Sequence, residues 1–381
     1  MPVLDNPLRT DVSVEIPDER PLSLHRRLPD YEPTPLRSLP ALAATLGIGT
    51  VLVKDESSRL GLPAFKMLGA SWATYRVLRQ RLGRDPEPWD TVDDLRDRLA
   101  PLAPLTLVTA TDGNHGRALA RVARLLGFAA RVWVPENTVP ARIAAIESEG
   151  AIVEVAAGGY DDAVRAAAAA AGDDTVVVSD TSWEGYSEVP RWVIEGYRTI
   201  FDEIEAQSAE AGLPSPGVVA VPIGVGALAA AAVAHYRRPG APATTLLGVE
   251  PTAAACVGAS LAAGRPVELP GVQDSIMAGL NCGTPSLVAW PLVSAGLDHL
   301  ATVDDDHARA AMRALADHGV VAGESGAASL AGMMEALPHL RAAGAINGRS
   351  TVLLLSTEGA TDPDTYRAVV GRSANQVVEA A

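Results

Sequence analysis

Lysine is scarce in this sequence, as are cysteine, long apolar runs and positive charge. Of 31 basic residues in the 381, two are lysines, Lys54 and Lys66, and the rest are arginines. Arginine fills salt-bridge and solubility positions but cannot serve as an amine nucleophile, so a retained lysine points to a need for its amine. Two cysteines, Cys256 and Cys282, cannot build a disulfide framework. They read as small buried thiols, with a Cys256–Cys282 bridge left to geometry. The seven histidines form no HxH or HExxH pair, and neither cysteine has metal-ligand spacing, so no catalytic transition metal is expected.

Acidic residues outnumber basic ones 46 to 31, for a formal charge of −15. Such a surface repels phosphate backbones and anionic headgroups, which argues against nucleic acid and membrane partners. The longest uncharged apolar stretch, 221–234, falls short of the roughly 20 residues that span a bilayer. The opening MPVLDNPLRTD lacks the basic and apolar regions of a secretory signal. A cytoplasmic protein is expected.

What is present is length for two domains and a repeating pattern. Residues 1 to about 35 are rich in proline and charge and read as an arm laid on a surface. The runs 51–57, 105–110, 130–135, 151–156 and 175–180 are short, apolar and β-branched, as strands buried on both faces require. Segments 117–127, 140–150 and 160–172 between them have helical periodicity and end in glycine. A second series places strands at 217–224, 244–251 and 350–357, with helices at 226–238, 252–263, 305–319 and 325–337. The stretch 183–205 reads as one long helix crossing between lobes. The fold class is therefore α/β: two lobes, each a mostly parallel sheet flanked by helices.

Ligands of such sheets sit at the carboxyl ends of strands, and four of those loops carry chemistry. Lys66 lies at the start of a helix, where a positive dipole and partial desolvation lower an amine's pKa and suit it to attack a carbonyl. Lys54, followed by Asp55 and Glu56, is expected to stay charged. The turn TDGNHG (111–116) places Thr111, Asp112, Asn114 and His115 before a helix, with Asn114 able to bond a phenolate oxygen. PIGVGALAA (222–230) brings amides to a helix start and lacks the partners of a nucleotide loop, which favours a small monophosphate. LLLSTEGATDP (353–363) offers the hydroxyls of Ser356 and Thr357, able to bond a neutral pyridine nitrogen. An aldehyde, a ring oxygen, a phosphate and a ring nitrogen together describe pyridoxal 5′-phosphate.

The order PTPL (33–36), KDES (54–57), AFKMLGA (64–70), a Gly-Asn-His loop, a Gly-rich loop and GVEP (248–251) resembles the fold-type II pyridoxal-phosphate enzymes, whose architecture is like that of the tryptophan synthase β subunit. Within that group, TATDGNHGRALA (109–120), SDTSWEGYSEVPRWVIEGY (179–197), GVQDSIMAGLNCGTPS (271–286) and STEGATDP (356–363) resemble the 2,3-diaminopropionate ammonia-lyases. Asp112, where dehydratases usually carry a small residue, is the discriminating position.

The resemblance implies a large cofactor-binding domain of residues 1–66 and 196–381 and a small substrate-binding domain of 67–195. It implies that Lys66 forms the Schiff base, that Asn114 bonds the ring oxygen, and that Gly224, Val225, Gly226, Ala227 and Leu228 hold the phosphate. Val225 and Ala227 stand where glycines are usual. Ser356, or adjacent Thr357, matches the partner of the pyridine nitrogen. Asp112 and Asp180 match acidic residues that handle substrate, and Thr111, Asp112 and His115 are the expected substrate-binding segment. The implied reaction is α,β-elimination of 2,3-diaminopropionate to pyruvate and ammonia in a homodimer, with a small amino acid as the only partner. Serine or threonine dehydration on the same fold is the alternative, and a catalytically silent small-molecule sensor a more distant one.

Overall fold

A computed structural model describes residues 3–15, 17–111 and 113–380. Eleven strands form two sheets: β1 (Val3–Asp5), β2 (Leu36–Ser38), β3 (Thr50–Asp55), β4 (Thr106–Ala110), β5 (Ala129–Val134), β6 (Ile152–Val155), β7 (Thr175–Val177), β8 (Val218–Pro222), β9 (Thr245–Pro251), β10 (His299–Val303) and β11 (Thr351–Ser356). The larger sheet has the order β1-β10-β9-β8-β11-β3-β2 and the smaller β6-β5-β4-β7. All neighbours are parallel except the edge pairs β1–β10 and β2–β3.

The central strands are buried along their whole length. β8 and β11 expose nothing on either face, the reason their sequences are unbroken apolar runs. Helices cover both faces, as two-sided burial requires. β6 departs from expectation: as an edge strand it leaves Ile152 and Val155 60% and 59% exposed. Its β-branched residues reflect strand propensity, not burial.

The segment 183–205 is not one helix. Trp183 stacks on Tyr186 at 4.2 Å around Gly185, whose φ of +83° turns the chain. Two helices follow, Glu188–Gly196 and Arg198–Glu210. Pro190 is confined to the first turn of its helix, where its missing N–H breaks no internal bond. The arm is also more ordered than its composition suggests, since it contributes β1 and a short helix, Pro21–His25, and leads directly into β2.

The helix Lys66–Leu82 packs against Glu188–Gly196 at backbone distance. A Cβ on Gly196 would lie 2.5 Å from the Leu68 carbonyl oxygen, and one on Gly69 would lie 2.6 Å from the Tyr197 ring. Gly69→Val is therefore expected to displace Tyr197 and to destabilise the protein by about 1–3 kcal/mol, the usual cost of overpacking. Urea unfolding checks this, and an unchanged midpoint would contradict it.

Candidate active site

β3, β8 and β11 end side by side, and their loops meet the start of the Lys66–Leu82 helix and the helix Asn114–Leu126, which follows β4. The cleft between them is lined by Lys66, Asn114, Asp180, Gly224, Val225, Gly226, Ala227, Leu228 and Thr357, nine of the residues singled out in the sequence. Phe65, Tyr160, Tyr197, Asn281, Cys282, Ser325 and Glu358 complete its walls.

Lys66 is the first residue of its helix, and its Nζ donates to Asp180 Oδ2 at 2.5 Å. Tyr160 holds the other carboxylate oxygen through its hydroxyl at 3.2 Å. Burial alone would raise the Asp180 pKa, but the Lys66 ammonium outweighs it, and with Tyr160 brings the carboxyl down to about 2. Asp180 is thus an anion throughout the physiological range.

Asn114 opens its helix and donates through Nδ2 to Glu358. An amide carries two N–H donors, so one remains to serve a ring oxygen. Glu358 itself is buried, with Oε1 accepting from the Ser325 backbone N–H at 3.2 Å. Its backbone bridges to Ala64, which fixes the loop before Lys66 against the end of β11.

At the end of β8, Gly226 adopts φ +96° and caps the helix Ala227–Tyr236 without any side-chain hydrogen bond. The first amides of that helix are left to point at a ligand. A Cβ on Gly224 would approach Cys282 Sγ and the Gly279 carbonyl to 3.1 Å each, so glycine there keeps the cleft open. Cys256 and Cys282 are separate buried thiols.

Ser356 ends β11, is 1% exposed, and its Oγ has no hydrogen-bond partner. A buried unsatisfied hydroxyl costs free energy unless something completes it. A pyridine nitrogen would do so. An amine, an amide donor and uncapped helix amides thus converge on one cleft, with Thr357 on its wall and the orphaned Ser356 hydroxyl in the residue just before it, and they fit pyridoxal phosphate.

Thr111 and His115 lie behind this wall. Thr111 Oγ1 accepts from the Gly113 N–H at 2.9 Å, bracing the turn. His115 bonds the Val178 carbonyl at 2.9 Å, and full burial lowers its pKa, which keeps the ring neutral beside Asp180 and Lys66. Asp112 lies outside the described residues. Lys54 is also placed differently from expectation. It is wholly buried and its Nζ donates to Glu203 at 2.7 Å, while Asp55 and Glu56 pair with Arg37 and Arg59.

The family model of the pyridoxal-phosphate dependent enzymes matches residues 28–358. A diaminopropionate ammonia-lyase from Salmonella typhimurium is 35% identical over 93% of this chain and 92% of its own. A biosynthetic L-threonine dehydratase from Mycobacterium tuberculosis is 31% identical over 91% of this chain and 72% of that one. Among solved structures, Escherichia coli diaminopropionate ammonia-lyase in complex with an aminoacrylate-PLP azomethine intermediate superposes with a TM-score of 0.87, at 34% identity over 97% of this chain and 96% of that one. With a cleft that fits the cofactor and identity that runs over nearly its whole length, the chain belongs to the pyridoxal-phosphate dependent enzymes and, among them, to the diaminopropionate ammonia-lyase family.

Proposed function

We propose that this protein eliminates ammonia from 2,3-diaminopropionate to yield pyruvate and ammonia, with pyridoxal phosphate held in the cleft. The observation that carries the reading is the 2.5 Å Lys66–Asp180 pair in a cleft also lined by Asn114, residues 224–228 and Thr357. In this reading residues 1–66 and 196–381 form the cofactor-binding domain and residues 67–195 the substrate-binding domain. Lys66 takes the aldehyde, Asn114 the ring oxygen, and the amides of Gly224, Val225, Gly226, Ala227 and Leu228 the phosphate. Ser356, adjacent to Thr357, takes the pyridine nitrogen. When bound, the cofactor supplies an electron sink for negative charge at the substrate's α-carbon.

The chain's own groups do the rest. Asp180 keeps the Lys66 nitrogen in place, and Tyr160 keeps Asp180 in place. The Lys66 amine is the base for the α-proton of the L isomer, and Asp112 is the base for the D isomer, whose proton faces the other way. Thr111 and His115 support the turn that carries Asp112. Asp180 is an anion in the cleft, and the proposal gives Asp112 the task of pairing with the substrate's β-ammonium, which would favour it over the neutral hydroxyl of serine by about 1.5–3 kcal/mol per charge-assisted bond.

Two measurements test this. With purified enzyme, pyruvate formation from diaminopropionate is expected to exceed that from serine or threonine by roughly tenfold or more in kcat/KM, following the same energies. Faster turnover of serine or threonine would favour the dehydratase reading, which the identity to the mycobacterial enzyme makes the second choice. Asp112→Asn is expected to cut turnover of D-diaminopropionate by roughly 10²–10⁴-fold while sparing the L isomer. Wild-type turnover of the D isomer would remove Asp112 from that role.

No helix among the described residues is long and apolar enough to cross a membrane. A cytoplasmic homodimer is part of the proposal, and light scattering coupled to gel filtration checks the dimer.

A further inference from the structure

The amino ends of the strands, opposite the cleft, hold a second cluster. Asp5 ends β1, His299 begins β10 directly across from it, and His339 comes from the helix Ala328–Ala342, which packs on β10. His299 Nδ1 lies 2.8 Å and His339 Nε2 2.6 Å from the same oxygen, Asp5 Oδ1. The two rings meet edge to face at 5.5 Å. Among the described residues this is the one group of three histidine, cysteine or carboxylate side chains whose ligand atoms all lie within 4.8 Å of one another.

We propose that Asp5, His299 and His339 form a surface Zn²⁺ site that clips the amino-terminal strand to the edge of the larger sheet. Two imidazoles and a carboxylate match the ligand preference of zinc, and water would take the fourth position on the exposed side of Asp5. The ring of His299 is only 14% exposed and that of His339 35%, so both nitrogens are largely held in position, while Asp5 at 70% leaves an approach from solvent. Bonds of roughly 2.0–2.1 Å in a tetrahedral arrangement separate ligand atoms by about 3.3 Å. The two nitrogen–oxygen contacts must therefore open by about 0.5 and 0.7 Å, while the two ring nitrogens start within 4.8 Å of each other, and the bridging protons are released as metal enters. Each ring would bind through the nitrogen that now faces Asp5. The site is structural and stands apart from the elimination chemistry, at the opposite end of the strands from the cleft.

Zinc would reinforce β1, which is otherwise held by a three-residue strand pair with β10 and by the Asn6 side chain, which donates to the carbonyls of Ser294 and Leu297. The test is calorimetric titration of Zn²⁺ into chelator-treated holoenzyme, repeated on His339→Ala and Asp5→Asn, with thermal unfolding alongside. The wild type is expected to bind one equivalent at micromolar Zn²⁺ that His339→Ala lacks, with affinity about tenfold or more weaker in Asp5→Asn. Zinc should raise the unfolding temperature of the wild type and not that of His339→Ala. No binding by the wild type, or equal stoichiometry and affinity in wild type and His339→Ala, overturns the proposal. Turnover of diaminopropionate is expected to be the same in His339→Ala and wild type, which keeps this result separate from that of the active-site reading.

Discussion

Lys66→Ala is expected to reduce diaminopropionate turnover by roughly 10⁴-fold or more, because the proposed function gives this position both the amine that holds the cofactor and the base for the L isomer. The side chain is 16% exposed, and its removal opens a buried ion pair, so circular dichroism of the variant accompanies the assay. The substitution leaves Asp180 buried without its cation. The Asp180 carboxyl, held at about 2 by that cation, should therefore titrate at higher pH in the variant. Steady-state assays of pyruvate release measure the first effect. Residual activity within about tenfold of wild type would mean that another group performs the central task.

Glu203→Gln should have the largest effect on stability. Glu203 accepts from Lys54 at 2.7 Å and from Arg59 at 2.6 and 2.7 Å, and all three side chains are almost wholly buried. Tyr31, Thr34 and Glu56 close the network, which ties the arm, β3 and the loop before Lys66 to the Arg198–Glu210 helix. Removing the charge leaves two buried cations facing one carboxylate, a defect that costs about 3–5 kcal/mol. Burial alone would raise the Glu203 pKa, but hydrogen bonds and charge from Arg59 and Lys54 pull it below the ordinary value. A depressed acid contributes stability that is fully present above its unfolded pKa of about 4.3 and is lost as pH falls below it. The difference in urea midpoint between wild type and variant should thus be large and nearly constant from pH 7 down to about pH 4.5 and shrink as the pH is lowered further. A difference that did not shrink at the lower pH, or was absent at pH 7, would contradict the role given to this network.

Much of this architecture can be read from the chain because buried parallel strands announce themselves by unbroken apolar runs. β3, β4, β8, β9 and β11 fall within two residues of their expected limits. β10 (HLATV) is short, and its polar residues interrupt the run, so nothing local distinguishes it from a loop. β1 and β2 are edge strands of three residues, specified by their partners rather than by their own pattern. The break at 183–197 depends on the stacking of Trp183 on Tyr186 and on the Gly196 contact with Leu68, which helical periodicity cannot register.

The same division holds at the site. That Lys66, Asn114, the 224–228 turn and Thr357 line one cleft is legible because each sits beside the end of a parallel strand. The part of Glu358 is not, although it sits in a quoted motif, because its task is defined by Asn114, 244 positions away. Tyr160 reads as an ordinary first residue of a helix until Asp180 is seen beside it. The burial of Lys54 and its pairing with Glu203 are likewise invisible locally, since Glu203 lies 149 positions away.

The most direct test uses the scarcity of lysine itself. Borohydride reduction of the holoenzyme makes the bond between cofactor and amine permanent, and peptide mass spectrometry then locates the pyridoxyl group. The account predicts that it sits on the peptide containing Lys66. A pyridoxyl group on the Lys54 peptide, or on no lysine at all, would contradict it.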